Sequence, residues 1–165
     1  MQRILIAGSS GSGKSTLART LADRLRLPYV ELDSLFHGPN WTPRPEFLAD
    51  VQRIAAGDRW VSEWQYETAR PVLLARADTL IWLDFGRRTV MYRVLRRSFR
   101  RAAFRQPIFN GNTEGFRDWL DPEHPIRWTW AHHDNTADRI SELAGGPQLI
   151  RLASPRAVRC WLNSA

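Results

Sequence analysis

Near its start the chain reads Gly8-Ser9-Ser10-Gly11-Ser12-Gly13-Lys14-Ser15, which matches the pattern G-x-x-x-x-G-K-S/T at each fixed position. The apolar run Ile4 to Ala7 precedes this segment, and leucines at helical spacing follow it, so the predicted order is strand, glycine loop, helix. Glycines let the backbone close around an anion, so that successive N–H groups and the helix N-terminus point at phosphate oxygens. The segment therefore predicts a loop that binds nucleotide phosphates, called the P-loop below.

Three polar side chains of the P-loop region have expected roles of their own. Lys14 would neutralise the β- and γ-phosphates of ATP, the Ser15 hydroxyl would ligate Mg²⁺, and Thr16 would reach the α-phosphate. Lys14 is the only lysine among the 24 lysine and arginine residues of the chain. Because a compact ammonium fits between phosphate oxygens better than a broad guanidinium does, this exception supports the assignment. The predicted nucleotide contacts are Gly8, Ser9, Ser10, Gly11, Ser12, Gly13, Lys14, Ser15 and Thr16.

Length and composition point to one domain over residues 1–165. The chain has 165 residues, of which 43% are hydrophobic. This is enough for one buried core, and the length is too short for two ordinary domains. A single cysteine, Cys160, excludes an internal disulfide and a zinc cluster, and fits a reducing, cytoplasmic compartment. No apolar run is long enough to predict a membrane span. The sequence leaves open whether the protein is a monomer or a homodimer.

Short apolar runs alternate with amphipathic segments along the chain, which predicts an α/β fold: a five-stranded parallel sheet with helices on both faces. The predicted strands are Arg3 to Ala7, Tyr29 to Leu32, Trp60 to Ser62, Thr79 to Leu83 and Leu149 to Leu152. The predicted helices follow the P-loop and then span Glu46 to Ala56, Pro71 to Ala77, a long segment from Thr89, Ile126 to Leu143 and a last segment from Pro155. Ligands bind beyond the carboxyl ends of the strands in such sheets.

Carboxylates follow three of the predicted strands. Asp84 is expected to hold the water shell of Mg²⁺, with a helix N-cap as the alternative. Asp33 is expected to accept a proton from an acceptor hydroxyl or to bind the acceptor, with an Asx-turn as the alternative. Glu63 is a weaker candidate for acceptor binding, since a surface loop would tolerate glutamate equally well.

Arginines form a basic stripe on the long helix, because Arg93, Arg97, Arg101 and Arg105 recur at every fourth position. Such a stripe would stabilise the charge that develops during phosphoryl transfer. A solvated surface and a nucleic-acid patch are the alternatives, the latter because the sequence pI is about 10.8. The irregular segment from about 103 to 125 is long for a loop and predicts a lid over the phosphates.

The chain resembles the adenylate-kinase-like branch of P-loop kinases, which also contains shikimate kinases, and within it the small bacterial topology modulation proteins and adenylate-kinase-related kinases. Beyond the P-loop, the resemblance rests on Leu32-Asp33, Gly38-Pro39-Asn40-Trp41, Ala77 to Asp84, Tyr92 to Arg97, Trp128-Thr129-Trp130 and Arg151 to Arg156. It implies an ATP-dependent kinase with Mg²⁺ and a small acceptor such as a nucleoside monophosphate, bound by a segment at about 34–58. A small-hydroxyl kinase similar to shikimate kinase, and a nucleotide-regulated nucleic-acid-binding protein, are the alternatives.

The resemblance also implies roles for single residues. Arg93 would lie near the adenine, Arg156 would border the base, and Arg97 would meet phosphates. Lys14, Arg97 and Asp33 are then the catalytic residues, while Asp33, Glu63, Tyr66 and Arg70 would bind the acceptor. Where this branch has Asp-Gly-Asn-Tyr, the chain has Glu63-Trp64-Gln65-Tyr66. A tryptophan in place of glycine implies either an unusual acceptor or a side chain that turns away from the site.

Overall fold

A computed structural model describes residues 1–105, 108, 112, 113, 115–143 and 145–164. Its five strands form one parallel sheet in the order β2-β3-β1-β4-β5. The strands are β1 (Arg3–Gly8), β2 (Tyr29–Val30), β3 (Trp60–Glu63), β4 (Thr79–Leu83) and β5 (Gln148–Leu152). The predicted α/β fold with a five-stranded parallel sheet is confirmed.

Helices connect the strands and cover both faces of the sheet. They are α1 (Lys14–Leu25), α2 (Leu32–Phe36), α3 (Phe47–Ala56), α4 (Ala69–Leu74), α5 (Arg87–Phe104), α6 (Pro125–Ala131), α7 (Asn135–Ser141) and α8 (Pro155–Ser164), with 3₁₀ turns at Pro39–Trp41 and Phe116–Leu120. Each face of the sheet is covered by its own apolar cluster. Ile4 and Ile6 pack with α1, α5 and α8, whereas Leu5 and Ala7 pack with α3, α4 and Ile140 of α7. This alternation follows from the twofold period of a strand that is buried on both faces.

The sheet topology sets the position of the P-loop. Strand β1 lies between β3 and β4, with Ile6 in register with both Glu63 and Ile81. The loop at the carboxyl end of β1 is therefore flanked by the ends of the two neighbouring strands. Residues that follow β3 and β4 are thus the ones best placed to meet a ligand on the P-loop.

Several element boundaries differ from those the sequence predicts. Strand β2 ends at Val30, because residues from Leu32 onward already form α2, so Asp33 lies in the first turn of a helix and not after a strand. The fourth helix spans Ala69–Leu74 and not Pro71 to Ala77. The predicted helix from 126 to 143 is broken at His132, whose φ of −118° and ψ of 21° end α6.

The predicted lid falls partly on residues that the structure does not describe, namely 106, 107, 109–111 and 114. Helix α5 continues to Phe104, so the first residues of the predicted lid are helical. The lid therefore stays a prediction. Within the described ranges, the structure contains no helix that is both long and apolar enough to cross a membrane.

Candidate active site

The P-loop backbone has the conformation that glycine permits. Gly8, Gly11 and Gly13 have φ angles of 147°, 81° and 99°. Helix α1 begins directly after Gly13, and its first turn contains neither an acidic residue nor a side-chain cap. The backbone N–H groups at this N-terminus are therefore not neutralised by the chain itself, and they favour an anion.

Gly11 brings the P-loop against helix α5. A Cβ atom at this position would lie 2.5 Å from Cγ2 of Val94 and 2.9 Å from the carbonyl oxygen of Val90. Both valines are fully buried. The loop and the helix thus touch through a residue without a side chain, and α5 is held at a fixed distance from the phosphate site.

Two arginines of α5 donate hydrogen bonds to the P-loop. Nη1 of Arg93 lies 3.1 Å from the carbonyl oxygen of Ser12, and Nη2 of Arg97 lies 3.0 Å from the hydroxyl oxygen of Ser10. The Arg93 guanidinium also lies 5.4 Å from the centre of the Phe85 ring. The predicted stripe therefore brings its first two arginines to the P-loop, while Arg105 ends the helix with a φ of 43°.

Lys14 has a weak contact in this structure. Its Nζ atom lies 3.4 Å from the carbonyl oxygen of Ser9, which is a long hydrogen bond. The ammonium, the two guanidinium groups and the exposed N–H groups of the loop concentrate positive charge around one glycine cradle. This donor set fits a triphosphate, the ligand that the motif implies.

A buried carboxylate lies on the α1 side of the sheet at the end of β3. Glu63 is 3% exposed, and its Oε1 accepts a hydrogen bond of 2.8 Å from the Tyr29 hydroxyl. Burial, together with the Glu63 charge and hydrogen bond, raises the pKa of Tyr29 far above its ordinary value, and a hydrogen bond from Ser15 acts in the opposite direction. Glu63 is thus linked through Tyr29 to Ser15. The alternative of a surface-loop glutamate is wrong, and the acceptor-binding role of Glu63 stays a prediction.

Asp84, the predicted Mg²⁺ residue, is engaged elsewhere. Its Oδ2 accepts a hydrogen bond of 2.8 Å from Nε of Arg151 on β5, and a second from the same guanidinium. That guanidinium lies 5.0 Å from the ring centre of Trp82, which packs against the cluster on the face opposite to α1. Asp84 follows Leu83, which is in register with Gly8 of the P-loop, but no hydrogen bond joins the Asp84 side chain to the P-loop among the described residues, and its metal role stays a prediction.

Asp33 is held in a polar pocket at the start of α2. Its Oδ1 accepts hydrogen bonds from Nε2 of Gln65 at 2.5 Å and from the hydroxyl of Tyr66 at 2.7 Å. The Tyr66 hydroxyl also lies 3.2 Å from Nε2 of His37. Burial and the Asp33 charge raise the pKa of Tyr66, so the phenol stays a donor, and burial lowers the pKa of His37.

Aromatic rings form one wall of this pocket. Tyr66 stacks on Phe36 with ring centres 4.3 Å apart, and Phe47 meets both rings edge-on at 5.1 Å. The φ angle of Tyr66 is 60°, a strained value for a non-glycine residue. Packing on three sides therefore holds the Tyr66 hydroxyl against Asp33.

Trp64 is buried in the apolar cluster that also contains Phe36, Phe47 and Tyr66 of the Asp33 pocket. Its ring is 8% exposed and belongs to the apolar cluster with Ala69 and Leu73. The guanidinium of Arg70 lies 5.8 Å from the centre of this ring. Tryptophan in the place of glycine is thus accommodated by the core, and Arg70 covers it.

Arg70 and Arg139 are partly buried cations that form no ion pair with the described residues. The Nε of Arg70 is buried and has no hydrogen-bond partner within that part of the chain. Burial and the nearby positive charge of Arg139 lower the pKa of Arg70, and Glu67 partly offsets them. Two cations with one nearby carboxylate, Glu67, which forms an ion pair with neither of them among the described residues, keep a net positive charge and provide a location for an anion.

A residue of the predicted lid contacts the predicted acceptor segment. Nδ2 of Asn112 donates to the carbonyl oxygen of Gly38 at 3.0 Å, and Oδ1 of Asn112 accepts from the backbone N–H of Trp41 at 3.3 Å. Asn112 is 8% exposed. These bonds tie the two segments together beside the Asp33 pocket.

The remaining predicted residues lie outside the hydrogen-bonded site. Arg156 is exposed at the beginning of α8, and Thr16 is exposed on α1. Arg96, Arg100 and Arg101 continue the basic surface beyond Arg97 and line an open groove of about 350 Å³ with Arg93 and Arg97. This surface extends away from the P-loop along α5.

The sequence did not single out Tyr29, Gln65 or Arg139. Tyr29 is the first residue of a two-residue strand, and its role depends on contacts with β3 and α1 that no local pattern contains. Gln65 and Tyr66 follow β3 directly, at the strand end where ligands bind, so their position did carry a signal. Arg139 lies on a helix whose start the sequence did not mark.

Three solved structures that are similar to this chain are kinases. A shikimate kinase from Acinetobacter baumannii in complex with shikimate has a TM-score of 0.62 and 16% identity, covering 99% of this chain and 90% of that chain. A shikimate kinase from Bacteroides thetaiotaomicron has a TM-score of 0.56 and 14% identity, covering 99% and 95%. A gluconokinase from Sinorhizobium meliloti 1021 has a TM-score of 0.54 and 17% identity, covering 99% and 92%. These likenesses show the fold of P-loop kinases.

Similarity in sequence to a curated protein is partial. A bifunctional pantoate ligase/cytidylate kinase from Gloeobacter violaceus (strain ATCC 29082 / PCC 7421) is 34% identical over 86 residues, which is 49% of this chain. The matched part spans 15% of that relative's length. No family model matches the chain.

Proposed function

We propose that this chain is an ATP-dependent phosphotransferase that moves the γ-phosphoryl group to a hydroxyl of a small acceptor. The observation that carries the proposal is the attachment of Arg93 and Arg97 to the P-loop, beside Lys14. Phosphoryl transfer depends on positioning and on positive charge around the transferred group. Three cations around one glycine cradle supply both before any substrate is bound.

Each residue of the cradle has a role in this scheme. The N–H groups of the P-loop and Lys14 hold the phosphates, and Arg97 stabilises the charge that develops on the γ-phosphoryl oxygens. When bound, Mg²⁺ neutralises phosphate charge and is held by Ser15. Arg93, seated on Phe85, lies where it limits the space beside the nucleotide.

A carboxylate makes a hydroxyl acceptor more suitable than a phosphate acceptor. Both described hydrogen bonds to Asp33 end on Oδ1, which leaves Oδ2 to accept the proton of an attacking hydroxyl. Burial and the charges of Glu63 and Asp33 raise the pKa of Glu31, although Arg19 acts against this, so negative charge accumulates at this end of the cleft. Such a field would repel an attacking phosphate oxygen.

The acceptor also carries an anionic group in this proposal. Arg70 and Arg139 lie beyond Tyr66, and Arg70 is joined to it by a backbone hydrogen bond of 3.0 Å. Cations with no ion pair among the described residues would bind a carboxylate or phosphate of the acceptor away from the reacting hydroxyl. The acceptor class is therefore a hydroxy acid or a phosphorylated alcohol. We also propose that the chain is related to the adenylate-kinase-related kinases and topology modulation proteins. That relationship does not determine the class of the acceptor.

A screen for ADP release tests the function. Purified protein would be given MgATP with hydroxy acids, sugar phosphates, polyols and nucleoside monophosphates, one at a time. We expect release to be stimulated by a hydroxy acid or by a sugar phosphate. Stimulation by nucleoside monophosphates alone would contradict a hydroxyl acceptor, and no stimulation above the acceptor-free rate by any class would contradict phosphotransfer to small molecules.

The basic groove on α5 supports a second candidate, a protein that binds a nucleic-acid backbone under control of its nucleotide site. Five arginines line the groove, and two of them, Arg93 and Arg97, donate hydrogen bonds to the P-loop. Binding to a phosphate backbone would weaken linearly in log–log form as salt rises. A fluorescence titration of labelled single-stranded DNA at several salt concentrations measures that slope. A slope near zero would remove this candidate.

A further inference from the structure

Tyr29 connects two groups that lie on different elements of the site. Its hydroxyl donates to Oε1 of Glu63, the buried carboxylate at the end of β3. The strands that carry these two residues are neighbours in the sheet, with Tyr29 in register with Val61. The phenol therefore reaches forward along the sheet toward the carboxyl ends of the strands, where ligands bind.

Helix α1 holds the other side of the Tyr29 ring. The Arg19 guanidinium lies 5.6 Å from the ring centre and also pairs with Glu31 at 2.9 Å. Ser15 and Arg19 are four residues apart, so they lie on the same face of α1, one turn from each other. Ser15 thus lies on the face of α1 that carries the Tyr29 ring, at the end of the helix nearest the P-loop, and it acts to lower the pKa of Tyr29 as a hydroxyl donor does.

The direction of each hydrogen bond follows from chemistry. A carboxylate only accepts, so the Tyr29 proton is committed to Glu63. The Tyr29 oxygen is then left to accept, and the Ser15 proton is the one that it receives. A Ser15 hydroxyl that donates its proton to Tyr29 keeps its oxygen lone pairs for a cation, as a hydroxyl that binds a cation must do.

We propose that Tyr29 is a positioning residue that orients the Ser15 hydroxyl and the Glu63 carboxylate for the divalent cation of the bound nucleotide. This inference rests on the proposed function, because it concerns the same site. Glu63 would then be the carboxylate available to the cation, since Asp84 is bound to Arg151. Hydrogen bonds made around the residues that bind a metal commonly fix their orientation and tune affinity.

A binding measurement tests the role without knowledge of the acceptor. Titration calorimetry would give the affinity of ADP with excess Mg²⁺ and with EDTA, for the native chain and for Tyr29→Phe. We expect Mg²⁺ to strengthen binding to the native chain. In Tyr29→Phe this strengthening should fall by about tenfold, the scale of one hydrogen bond, while the affinity in EDTA stays unchanged. A merely structural loss would weaken both affinities together.

Two further variants sharpen the test. Tyr92→Phe removes the hydroxyl of an exposed tyrosine and should leave both affinities at the native values. Glu63→Gln keeps the size of the side chain and should lose the Mg²⁺ effect as Tyr29→Phe does, which also covers the case in which Tyr29→Phe does not fold. A full Mg²⁺ effect in folded Tyr29→Phe or in Glu63→Gln overturns this inference alone. Absence of ADP binding by the native chain overturns the proposed function, and this inference with it.

Discussion

The guanidinium of Arg97 and the hydroxyl of Ser10 are joined by a hydrogen bond of 3.0 Å, although 87 residues separate them in the chain. The bond fastens the phosphate loop to the helix that carries the arginine stripe. Because the cation is already in position, little reorganisation is required when a phosphate arrives, and preorganised charge of this kind is effective in catalysis.

Replacement of Arg97 by alanine should lower kcat by about 10²- to 10³-fold, because charge on the transferred phosphoryl group would lose its nearest guanidinium. Arg96→Ala is the matched control: Arg96 is the neighbouring residue and is exposed. Steady-state ADP release, with the acceptor found in the screen, measures both. Equal rates for the two variants would contradict the catalytic role.

Replacement of Gly11 by alanine should destabilise the protein by about 2–4 kcal/mol and weaken nucleotide binding. The new methyl group would overlap Val94 and the Val90 carbonyl, and the φ of 81° is unfavourable for alanine. Gly86→Ala is the control, since a Cβ there meets nothing within 4 Å and the φ is −56°. Urea unfolding gives the free energies, and a Gly11→Ala midpoint equal to that of Gly86→Ala would refute the close packing.

The sequence predicts the elements that carry this site better than the contacts between their side chains. The P-loop, the apolar strands and the arginine stripe are local patterns, and the structure has them where the sequence predicts. Glu63 differs, because its hydrogen bond comes from Tyr29, on a strand 34 residues earlier in the chain, and no periodicity records such a contact. Asp33 lies in the first turn of α2 and not at the end of a strand, because β2 stops at Val30 and Leu32 begins the helix and packs in the core. The role of Asp33 in the site stays a prediction.

Replacement of Asp33 by asparagine should lower kcat by about 10²- to 10⁴-fold and leave ADP affinity unchanged, since the variant keeps the shape of the side chain but loses a proton acceptor. Tyr66→Phe removes one of the hydrogen bonds to Oδ1 and should have a smaller effect on kcat. Rates of ADP release report on phosphoryl transfer, and calorimetric affinities report on nucleotide binding. A native kcat in Asp33→Asn would show that a different group accepts the proton.

Asp78 should stabilise the fold at neutral pH and lose this effect in acid. Burial acts to raise the pKa of this carboxyl, but hydrogen bonds from Thr79 and from the backbone N–H groups of Arg3 and Gln2 outweigh burial and lower it. A depressed pKa in the folded state means that the stabilisation is present above about pH 4 and is lost as pH falls through the folded pKa. Asp78→Asn should therefore cost about 1–2 kcal/mol at pH 7 and less at pH 3.

Urea unfolding at both pH values measures this difference. Asp58→Asn, at an exposed position in the turn before β3, is the control and should match the native chain at both values. A cost for Asp78→Asn that is the same at pH 7 and pH 3 would contradict the role of its charge.

The most direct test of the central claim is calorimetric titration of MgATP into the native chain and into Lys14→Ala. The account predicts saturable binding of one nucleotide by the native chain and a loss of at least about tenfold in affinity in the variant, because its ammonium is the only one available to the phosphates. No saturable heat with the native chain at millimolar MgATP, or equal affinities for the two proteins, would contradict a triphosphate site on the P-loop.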